Sequence, residues 1–470
     1  MKTRMKRIFA LFLTGVLGTM LICGCGADKP VETADSGESE VSMEDEDIAG
    51  GENSAEGNKE ETADTEGDHT SEFGDPNGGA EVTLWHYFGD EQGQALYNIV
   101  RKYNESQNNI YVVPMFVSMD EIKKQYTMGA VSGELPDIGL IDGPDMAAYY
   151  ALGVFENISE YVADWEDIDA FYSGPMASCK DASGNIFGIP NNANCLAIAC
   201  NMDILKEAGI ENPPATWDEL LAVCEKTSDA ENGVYGLAMS ATGTEEGTFQ
   251  YIPWMYGAGA DVTDIDSEAS IQALSFLSDL VKEGYMSREV VNWTQNDAYN
   301  AFLTGKAAMA EIGTWYIANM DGMDKDKVTF EYQFVQMPRN GENQATVLGG
   351  ENFGICKGSE YTKECVDFLK FAMSAENNAE WCSMAGKLPV RGDAADKTDF
   401  WTADERYKVF LDSMDFAVAR GPHESWPTIS EAIYKAVQKA FLGETGAEDA
   451  LKEAADIINP ILLETPMAKQ

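Results

Sequence analysis

The chain has 470 residues, with 80 acidic against 32 basic side chains and a formal net charge of −48. Apolar residues make up 44% of it, which is enough to bury the cores of roughly two to four domains. A balance this acidic excludes a nucleic-acid-binding protein, which needs clustered lysine and arginine, and excludes adsorption to anionic lipid through a basic face.

The first 24 residues have the order of a secretory signal peptide. Four basic side chains within the first seven residues precede an apolar run over 8–22. That run is shorter than the roughly 20 residues that span a bilayer, and an uncleaved anchor helix is the alternative. The run ends in Cys23-Gly24-Cys25, which resembles a bacterial lipobox. Cys25 is therefore predicted to become the lipidated N-terminus and to hold the protein on the outer face of the cell membrane.

Residues 25–78 are predicted to form a disordered acidic tether. Between 28 and 78 there are 18 acidic and 2 basic residues, and almost no large apolar side chain precedes Phe73. Such a segment cannot bury enough surface to offset its ordering entropy, and its like charges extend it. The functional interpretation is a spacer that holds a domain off the membrane; the alternative is a drifting linker without a role.

Strands and helices alternate in the first part of the globular region. Strand patterns cover 81–87, 110–117 and 135–141, and amphipathic helix patterns cover 91–106, 119–132 and 143–151. The order predicts a parallel sheet with helices on both faces. Ligands of such sheets lie beyond the carboxyl ends of the strands, which here are 85–87 and 141–143.

A second series begins after the break at 188–190. Its predicted strands cover 196–201, 235–239, 307–312 and 329–337, and its predicted helices cover 217–228, 247–258, 267–283 and 297–304. The chain is predicted to return to the first sheet near Ile355, with helices over 366–374 and 379–385. The region 404–464 is predicted to be helical.

The histidines and cysteines indicate no metal site. The three histidines, His69, His86 and His423, lie far apart, which also disfavours a Ser-His-Asp triad. Beyond Cys25 the cysteines are odd in number, and their spacings match no zinc pattern. Several lie in apolar stretches, which favours free, buried thiols over disulfides. These cysteines are Cys179, Cys195, Cys200, Cys224, Cys356, Cys365 and Cys382.

Residues 300–315 read NAFLTGKAAMAEIGTW. This segment resembles the F-x-x-G-K-x-A-M-x-x-x-G-x-W pattern of the extracellular solute-binding proteins of group 1, the sugar-capturing lipoproteins of ABC importers. Further matches follow the family order over about 80–464. These matches are the strand at Trp85, the segment 135–138 followed by Asp142, and the segment 187–190 that leads to Asn201. The segments 348–355, 387–391 and 440–451 also match.

The resemblance implies an α/β fold of the two-lobed periplasmic-binding-protein type (type II), with a ligand cleft between the lobes. One lobe is predicted to hold 80–190 and 350–388, and the other 191–349 and 389–464. The implied function is to capture a carbohydrate and deliver it to ABC permease subunits. The chain is predicted to be a monomer without catalytic residues, cofactor, metal or nucleic-acid partner.

Aromatic and polar side chains at strand ends and breaks are the candidate sugar contacts, because sugars need flat apolar surfaces and fixed hydrogen-bonding groups. For several of them an alternative role stays open: a core position for Trp85 and Trp315, a helix N-cap for Asp142, a surface salt bridge for Arg391, and lobe packing for Trp426. The candidates are Trp85, His86, Tyr87, Asp142, Asn191, Asn194, Trp254, Trp315, Glu351, Asn352, Arg391 and Trp426.

Other functions stay open. A surface-anchored glycoside hydrolase would need two carboxylates about 5 to 9.5 Å apart, for which Asp142 and Glu351 are the candidates. A sensor without a transporter is a further alternative. Some family members bind polyamines, glycerol phosphates or iron complexes, and the acidic candidates here disfavour an anionic ligand.

Overall fold

The computed structural model describes residues 73–76 and 78–467. Within them the chain forms strands that belong to three sheets. The strands are β1 (Ala80–His86), β2 (Ile110–Phe116), β3 (Ile138–Asp142), β4 (Ile189–Pro190), β5 (Leu196–Asn201), β6 (Tyr235–Ala238), β7 (Ala307–Gly313), β8 (Tyr332–Val335), β9 (Thr346–Leu348), β10 (Glu351–Ile355) and β11 (Ala417–Ala419).

Helices separate most of these strands and cover the two larger sheets. They are α1 (Asp90–Ser106), α2 (Met119–Ser132), α3 (Met146–Leu152), α4 (Ser159–Val162), α5 (Ser173–Ser178), α6 (Met202–Glu207), α7 (Trp217–Thr227), α8 (Glu245–Gly257), α9 (Glu268–Lys282), α10 (Gln295–Leu303), α11 (Trp315–Asp321), α12 (Thr362–Ala372), α13 (Ala375–Ala385), α14 (Gly392–Ala395), α15 (Phe400–Ala403), α16 (Glu405–Ser413), α17 (Trp426–Leu442) and α18 (Ala447–Glu464).

The first sheet has five strands in the order β2-β1-β3-β10-β4. β1 is parallel to β2 and β3, as the alternation of strands and helices predicts. The chain returns to this sheet at β10, close to the predicted return at Ile355, and β10 is antiparallel to both β3 and β4. All residues of β3 are buried, as expected for a central strand with helices on both faces.

The second sheet has four strands in the order β6-β7-β5-β8. β7 is parallel to β6 and antiparallel to β5, and β8 is antiparallel to β5. The strand predicted over 329–337 is shorter in the structure, because β8 covers only Tyr332–Val335. A separate parallel pair, β9 with β11, joins the segment that leads into β10 to the segment that precedes α17.

Helix packing follows the two larger sheets. α12 and α13 contact α1 beside the first sheet, whereas α17 contacts α8, α9 and α18 beside the second. The lobe boundaries, with 80–190 and 350–388 in one lobe and 191–349 and 389–464 in the other, stay a prediction, because sheet membership does not show which parts move together. All seven cysteines of the described region are free and buried, as predicted.

The end of the predicted tether packs on the fold. The Phe73 side chain is buried and contacts the Tyr97 ring edge to face, with 5.2 Å between the ring centroids. Asn104 Nδ2 donates to the Phe73 carbonyl oxygen at 2.9 Å, and the Tyr111 hydroxyl donates to that of Gly74 at 2.8 Å. The predicted boundary at residue 78 is therefore corrected, because Phe73 supplies the first large apolar surface and buries it against α1.

The signal peptide, Cys25 and the remainder of the predicted tether lie outside the described residues. Among the residues that are described, no helix has both the length and the apolar character needed to cross a bilayer.

His86 lies in the core rather than in a cleft. Its side chain is fully buried, with the rings of Tyr97 and Phe116 edge to face at 5.6 and 6.0 Å. Burial lowers the pKa of His86 to about 4, because the charged imidazolium loses its hydration inside the protein. The prediction that His86 contacts the ligand is corrected, since successive residues of β1 point to opposite faces and His86 points inward.

Acid should destabilise the protein through His86. The folded pKa lies below the unfolded value of 6.5, so the stabilising contribution is present above pH 6.5 and is lost as pH falls towards 4. A shift of this size corresponds to about 3 kcal/mol. Urea unfolding of the wild type and His86→Phe between pH 7 and 4 should show a shallower loss of stability in the variant. Parallel pH profiles for the two proteins would contradict this origin.

Candidate functional site

The carboxyl end of β3 meets the start of β10 at one edge of the first sheet. The antiparallel register places Glu351 directly opposite Asp142, although 208 residues separate them in the chain. Tyr87 follows β1 at the same edge. These three side chains line a cavity of about 180 Å³ together with Asn194 and Trp315, and we call it the cleft cavity. The structure thus brings five of the predicted site residues together.

Trp315 forms the main aromatic wall of the cleft cavity. It is the first residue of α11, two residues after β7 ends. The indole ring lies directly on Gly313, where an added Cβ would stand 2.0 Å from the ring, so this position requires glycine. The Lys387 ammonium lies 4.3 Å from the indole centroid. Trp315 is only partly buried, and its ring is held in place by backbone on one side and a cation on the other.

Arg420 closes one side of the cleft cavity through a buried ion cluster. Its Nη1 and Nη2 donate to Asp142 Oδ2 and Oδ1 at 3.0 and 3.1 Å, and Nη1 also donates to Glu245 Oε1 at 2.5 Å. The guanidinium also lies 4.4 Å from the Phe249 ring centroid. Burial raises the pKa of Glu245, and the Arg420 charge opposes that shift. Asp142 thus makes a bidentate ion pair, and its side chain does not cap the helical turn that follows.

Glu351 is held at the opposite side by one hydrogen bond and one ion pair. Asn192 Nδ2 donates to Glu351 Oε2 at 2.6 Å, and the Lys387 ammonium lies 3.7 Å from Oε1. Lys387 thus contacts both Glu351 and the Trp315 ring, so its position depends on the carboxylate and the indole together.

Three polar atoms of the cleft cavity are buried without a hydrogen-bond partner among the described residues. They are the Tyr87 hydroxyl, Asn194 Oδ1 and Gln295 Nε2. Burial raises the pKa of Tyr87 well above its ordinary value, and the nearby Glu351 and Asp142 charges add to the effect. The phenol therefore stays protonated and keeps a hydrogen to donate. An amide oxygen accepts and an amide nitrogen donates, so the cavity presents both kinds of group to a ligand.

A sequence profile of the bacterial extracellular solute-binding proteins matches residues 98–409. The chain belongs to this family. It is 22% identical over 419 residues to the sn-glycerol-3-phosphate-binding periplasmic protein UgpB of Pectobacterium atrosepticum, covering 81% of this chain and 91% of that protein.

Solved structures show the same two-lobed α/β fold. An ABC transporter solute-binding protein from Thermotoga lettingae, bound with α-D-tagatose, superposes with a TM-score of 0.75 at 26% identity and covers 82% of this chain and 100% of its own. Maltose-bound MalE3 of T. maritima superposes with a TM-score of 0.73 at 23% identity, again covering 82% and 100%. The fold that the sequence resemblance implied is therefore confirmed.

Two predicted contacts of this solute-binding protein lie away from the cleft cavity: Trp254 is in the core, and Trp85 is partly buried against a core cluster. Trp254 is buried, and its Nε1 donates to Glu311 Oε2 at 2.8 Å. Trp85 stacks on Tyr126 with 5.8 Å between the ring centroids. Trp254 lies inside α8, where helix packing buries it, and Trp85 points to the face of the first sheet that α2 covers. Their predicted places in the cleft are corrected.

Arg391 stabilises the fold away from the cleft cavity. Its Nε and Nη2 donate to Asp393 at 2.6 Å each, and Nη1 donates to the Met373 carbonyl oxygen at 2.7 Å. Asp167 contributes a further ion pair at 3.1 Å. The prediction of a ligand contact at Arg391 is corrected, because this side chain forms salt bridges instead. Those salt bridges are buried rather than on the surface, since Arg391 is 1% exposed.

Asn191, Asn352 and Trp426 surround the cleft cavity without lining it. Asn191 Oδ1 accepts from Asn192, and Asn352 Nδ2 donates to Ser178 Oγ at 2.9 Å. The Trp426 Nε1 donates to both carboxylate oxygens of Glu245 at 3.2 Å. All three are buried. For Asn191 and Trp426 the predicted direct contacts are corrected to supporting ones, whereas Asn352 lines a neighbouring chamber and its predicted ligand contact stays a prediction.

Sequence reasoning missed eleven of the sixteen residues that line the cleft cavity of this binding protein, among them Glu245, Phe249, Gln295, Lys387 and Arg420. Lys387 opens the matched segment 387–391, which offered a signal. Arg420 is an isolated arginine in an apolar stretch before Trp426, and this is a weaker sequence signal. Among the described residues, no group of three or more histidine, cysteine or carboxylate side chains is arranged so that it could hold a metal ion.

Glu311 gives the second sheet a pH-dependent stability. Burial raises the pKa of its carboxyl well above 4.5, although the hydrogen bond from Trp254 opposes the shift. The folded state keeps the proton, so the contribution is full below pH 4.5 and declines as pH rises, by up to about 1.4 kcal/mol per pH unit. Glu311→Gln should remove this decline in urea unfolding, whereas the exposed Glu342→Gln should not. An unchanged slope in Glu311→Gln would contradict the assignment.

Proposed function

We propose that this solute-binding protein captures a carbohydrate in the cleft cavity and delivers it to the permease subunits of an ABC importer. The observation that carries the proposal is the indole of Trp315 beside three buried polar atoms without partners. A sugar ring offers a C–H face to an aromatic surface, and its hydroxyls both donate and accept hydrogen bonds. The tagatose-bound protein of Thermotoga lettingae supports the same ligand class.

The charges of the cleft cavity favour a neutral ligand over glycerol phosphate. Four carboxylates line it, Asp142, Glu245, Glu246 and Glu351, against the two cations Lys387 and Arg420. Both cations already face carboxylates and aromatic rings. A phosphate would add negative charge to an excess of negative charge, so the ligand of the UgpB relatives is the less suitable one here.

The size of the cleft cavity favours a small sugar. Its volume of about 180 Å³ lies below the roughly 300–1,000 Å³ of pockets for drug-sized ligands. We infer that the cleft cavity holds one or two sugar rings in contact with Trp315.

The contacts of Asp142 and Glu351 disfavour glycoside hydrolysis. Asp142 receives both terminal guanidinium nitrogens of Arg420, and Glu351 receives Asn192. Neither carboxyl is free to donate a proton to a leaving oxygen or to attack a sugar. The family and the compared proteins are binding proteins, and we infer that this chain is not an enzyme. Release of nitrophenol from chromogenic glycosides would contradict that inference.

A thermal-shift screen tests the proposed ligand class. Residues 26–470 would be heated with mono- and disaccharides, and with spermidine and glycerol-3-phosphate for comparison. A ligand at about 100 times its dissociation constant should add roughly 2.7 kcal/mol of stability. Stabilisation by a sugar supports the proposal. Stabilisation by spermidine or glycerol-3-phosphate, with no response to any sugar, overturns it.

We also infer that the protein is a monomeric lipoprotein on the outer face of the cell membrane, attached through Cys25 and extended by the acidic segment that follows. Cys25→Ser is expected to release it into the medium or to leave the precursor uncleaved, because no acyl chain can then be attached. Membrane fractionation and intact mass measure the outcome. Unchanged membrane attachment with an unmodified Cys25 would contradict the lipid anchor.

A further inference from the structure

A second chamber of about 370 Å³ lies beside the cleft cavity. Both are lined by Gly350 and Arg420, so the Arg420 ion cluster stands between them. The walls of the second chamber come from the turn after β3, from α5, from the end of β9 and from residues 417–422. Small and apolar residues predominate, among them Pro144, Ala177 and Leu348.

The second chamber differs in charge from the cleft cavity. Four carboxylates line the cleft cavity, whereas neither aspartate nor glutamate is found among the described residues that line the second chamber. Arg420 is the one charged side chain in the described part of its wall, and that charge is already balanced by Asp142 and Glu245. The chamber therefore suits a neutral group.

Two buried polar atoms without a partner within the described region belong to residues of this chamber. They are Asn192 Oδ1, on a side chain that is 1% exposed, and Arg420 Nε, on one that is 5% exposed. A buried polar atom without a partner destabilises the protein, and a ligand group that pairs with it gains affinity. One of these atoms accepts a hydrogen bond and the other donates one. A group that both donates and accepts, carried on a small apolar body, would satisfy both.

We propose that the second chamber binds a neutral substituent of the sugar, a group that donates to Asn192 Oδ1, accepts from Arg420 Nε and lays its apolar part against Pro144 and Leu348. An acetamido group and the hydroxyls of a second sugar ring share this chemistry. The inference rests on the proposed function and narrows it: the ligand is a sugar with an extension, and Arg420 joins the two parts of its site. Gly350 lines both cavities without a side chain, so only backbone stands between them at that point.

Filling the second chamber tests the proposal. Ala177 is an exposed residue of α5 and Ala417 lies in β11, so Ala177→Leu and Ala417→Leu fill the chamber from two different elements of its wall. Ala403→Leu, at an exposed position in α15 that lines neither cavity, is the matched control. The probes are glucose, galactose and mannose, each compared with its 2-acetamido derivative and with maltose, lactose and mannobiose, by calorimetry.

One extended sugar is expected to bind the wild type at least about ten-fold more tightly than its parent, since two buried polar atoms gain partners. Either filling variant should abolish that preference and leave the parent's affinity unchanged, and the control should keep both. If the wild type binds the parent and the extended sugars with equal affinity, the second-chamber inference is overturned and the proposed function stands. The same follows if the preference for the extended sugar survives in both filling variants. Binding of no sugar by the wild type overturns it together with the proposed function.

Discussion

Trp315→Ala is expected to weaken sugar binding by at least about 30-fold, while the melting temperature of the unliganded protein stays within a few degrees of wild type. Truncating a central aromatic anchor typically removes about 2 kcal/mol or more of binding free energy. The fold should survive, because Trp315 is only partly buried and lines a cavity. Calorimetry measures the affinity, and tryptophan fluorescence should lose its response to the ligand.

A matched control is Trp165→Ala, which removes a partly buried tryptophan that contacts Phe171 outside the cleft cavity. It should keep the wild-type affinity. If Trp315→Ala unfolds by itself and the folded remainder binds sugar normally, Trp315 is a core residue and the stacking role is wrong.

Arg420→Ala is expected to destabilise the unliganded protein by about 3–5 kcal/mol. The substitution leaves the buried Asp142 and Glu245 carboxylates without their counter-charge, and an uncompensated buried charge is costly. The loss should shrink as pH falls, because the freed carboxylates can then take up protons. Urea unfolding at pH 7 and pH 5 measures both effects.

Two comparisons isolate the ion cluster. The triple variant Arg420→Ala, Asp142→Asn, Glu245→Gln should recover much of the lost stability, since no buried charge remains unpaired. Arg288→Ala, which removes an exposed arginine bonded to the Leu442 carbonyl oxygen, should change stability little. A destabilisation by Arg420→Ala that is the same at both pH values and is not rescued by the triple variant would argue for lost packing on Phe249 instead.

Local patterns predicted the elements well because strand and helix periodicity act over a few residues. The parallel order of β1, β2 and β3 follows from the strand–helix alternation, and the free thiols follow from the apolar stretches in which the cysteines lie. The placement of Trp315 at the tip of β7 also follows from local sequence, because Gly313 admits the ring that lies on it.

The identity of the other cavity residues could not follow from local sequence. Trp254 and Trp315 are both aromatic residues near breaks, yet helix packing buries the first against Trp217, with 5.6 Å between their rings. Asp142 meets Glu351 through an antiparallel strand register, and it meets Arg420 across 278 positions of the chain. No periodicity connects such distant residues.

Composition and neighbouring residues were enough to predict the fold class, the family resemblance, the acidic character and the tryptophan at the end of β7, because each of these is a local property of the chain. Which polar groups meet depends on the packing of distant elements: Asp142, whose position at a strand end made it a candidate ligand acceptor, also belongs to a buried ion cluster with Arg420. A buried charge interacts with whichever charged groups the packing of the sheets brings near it. Because the dielectric constant inside a protein is low, the attraction between such neighbours is strong.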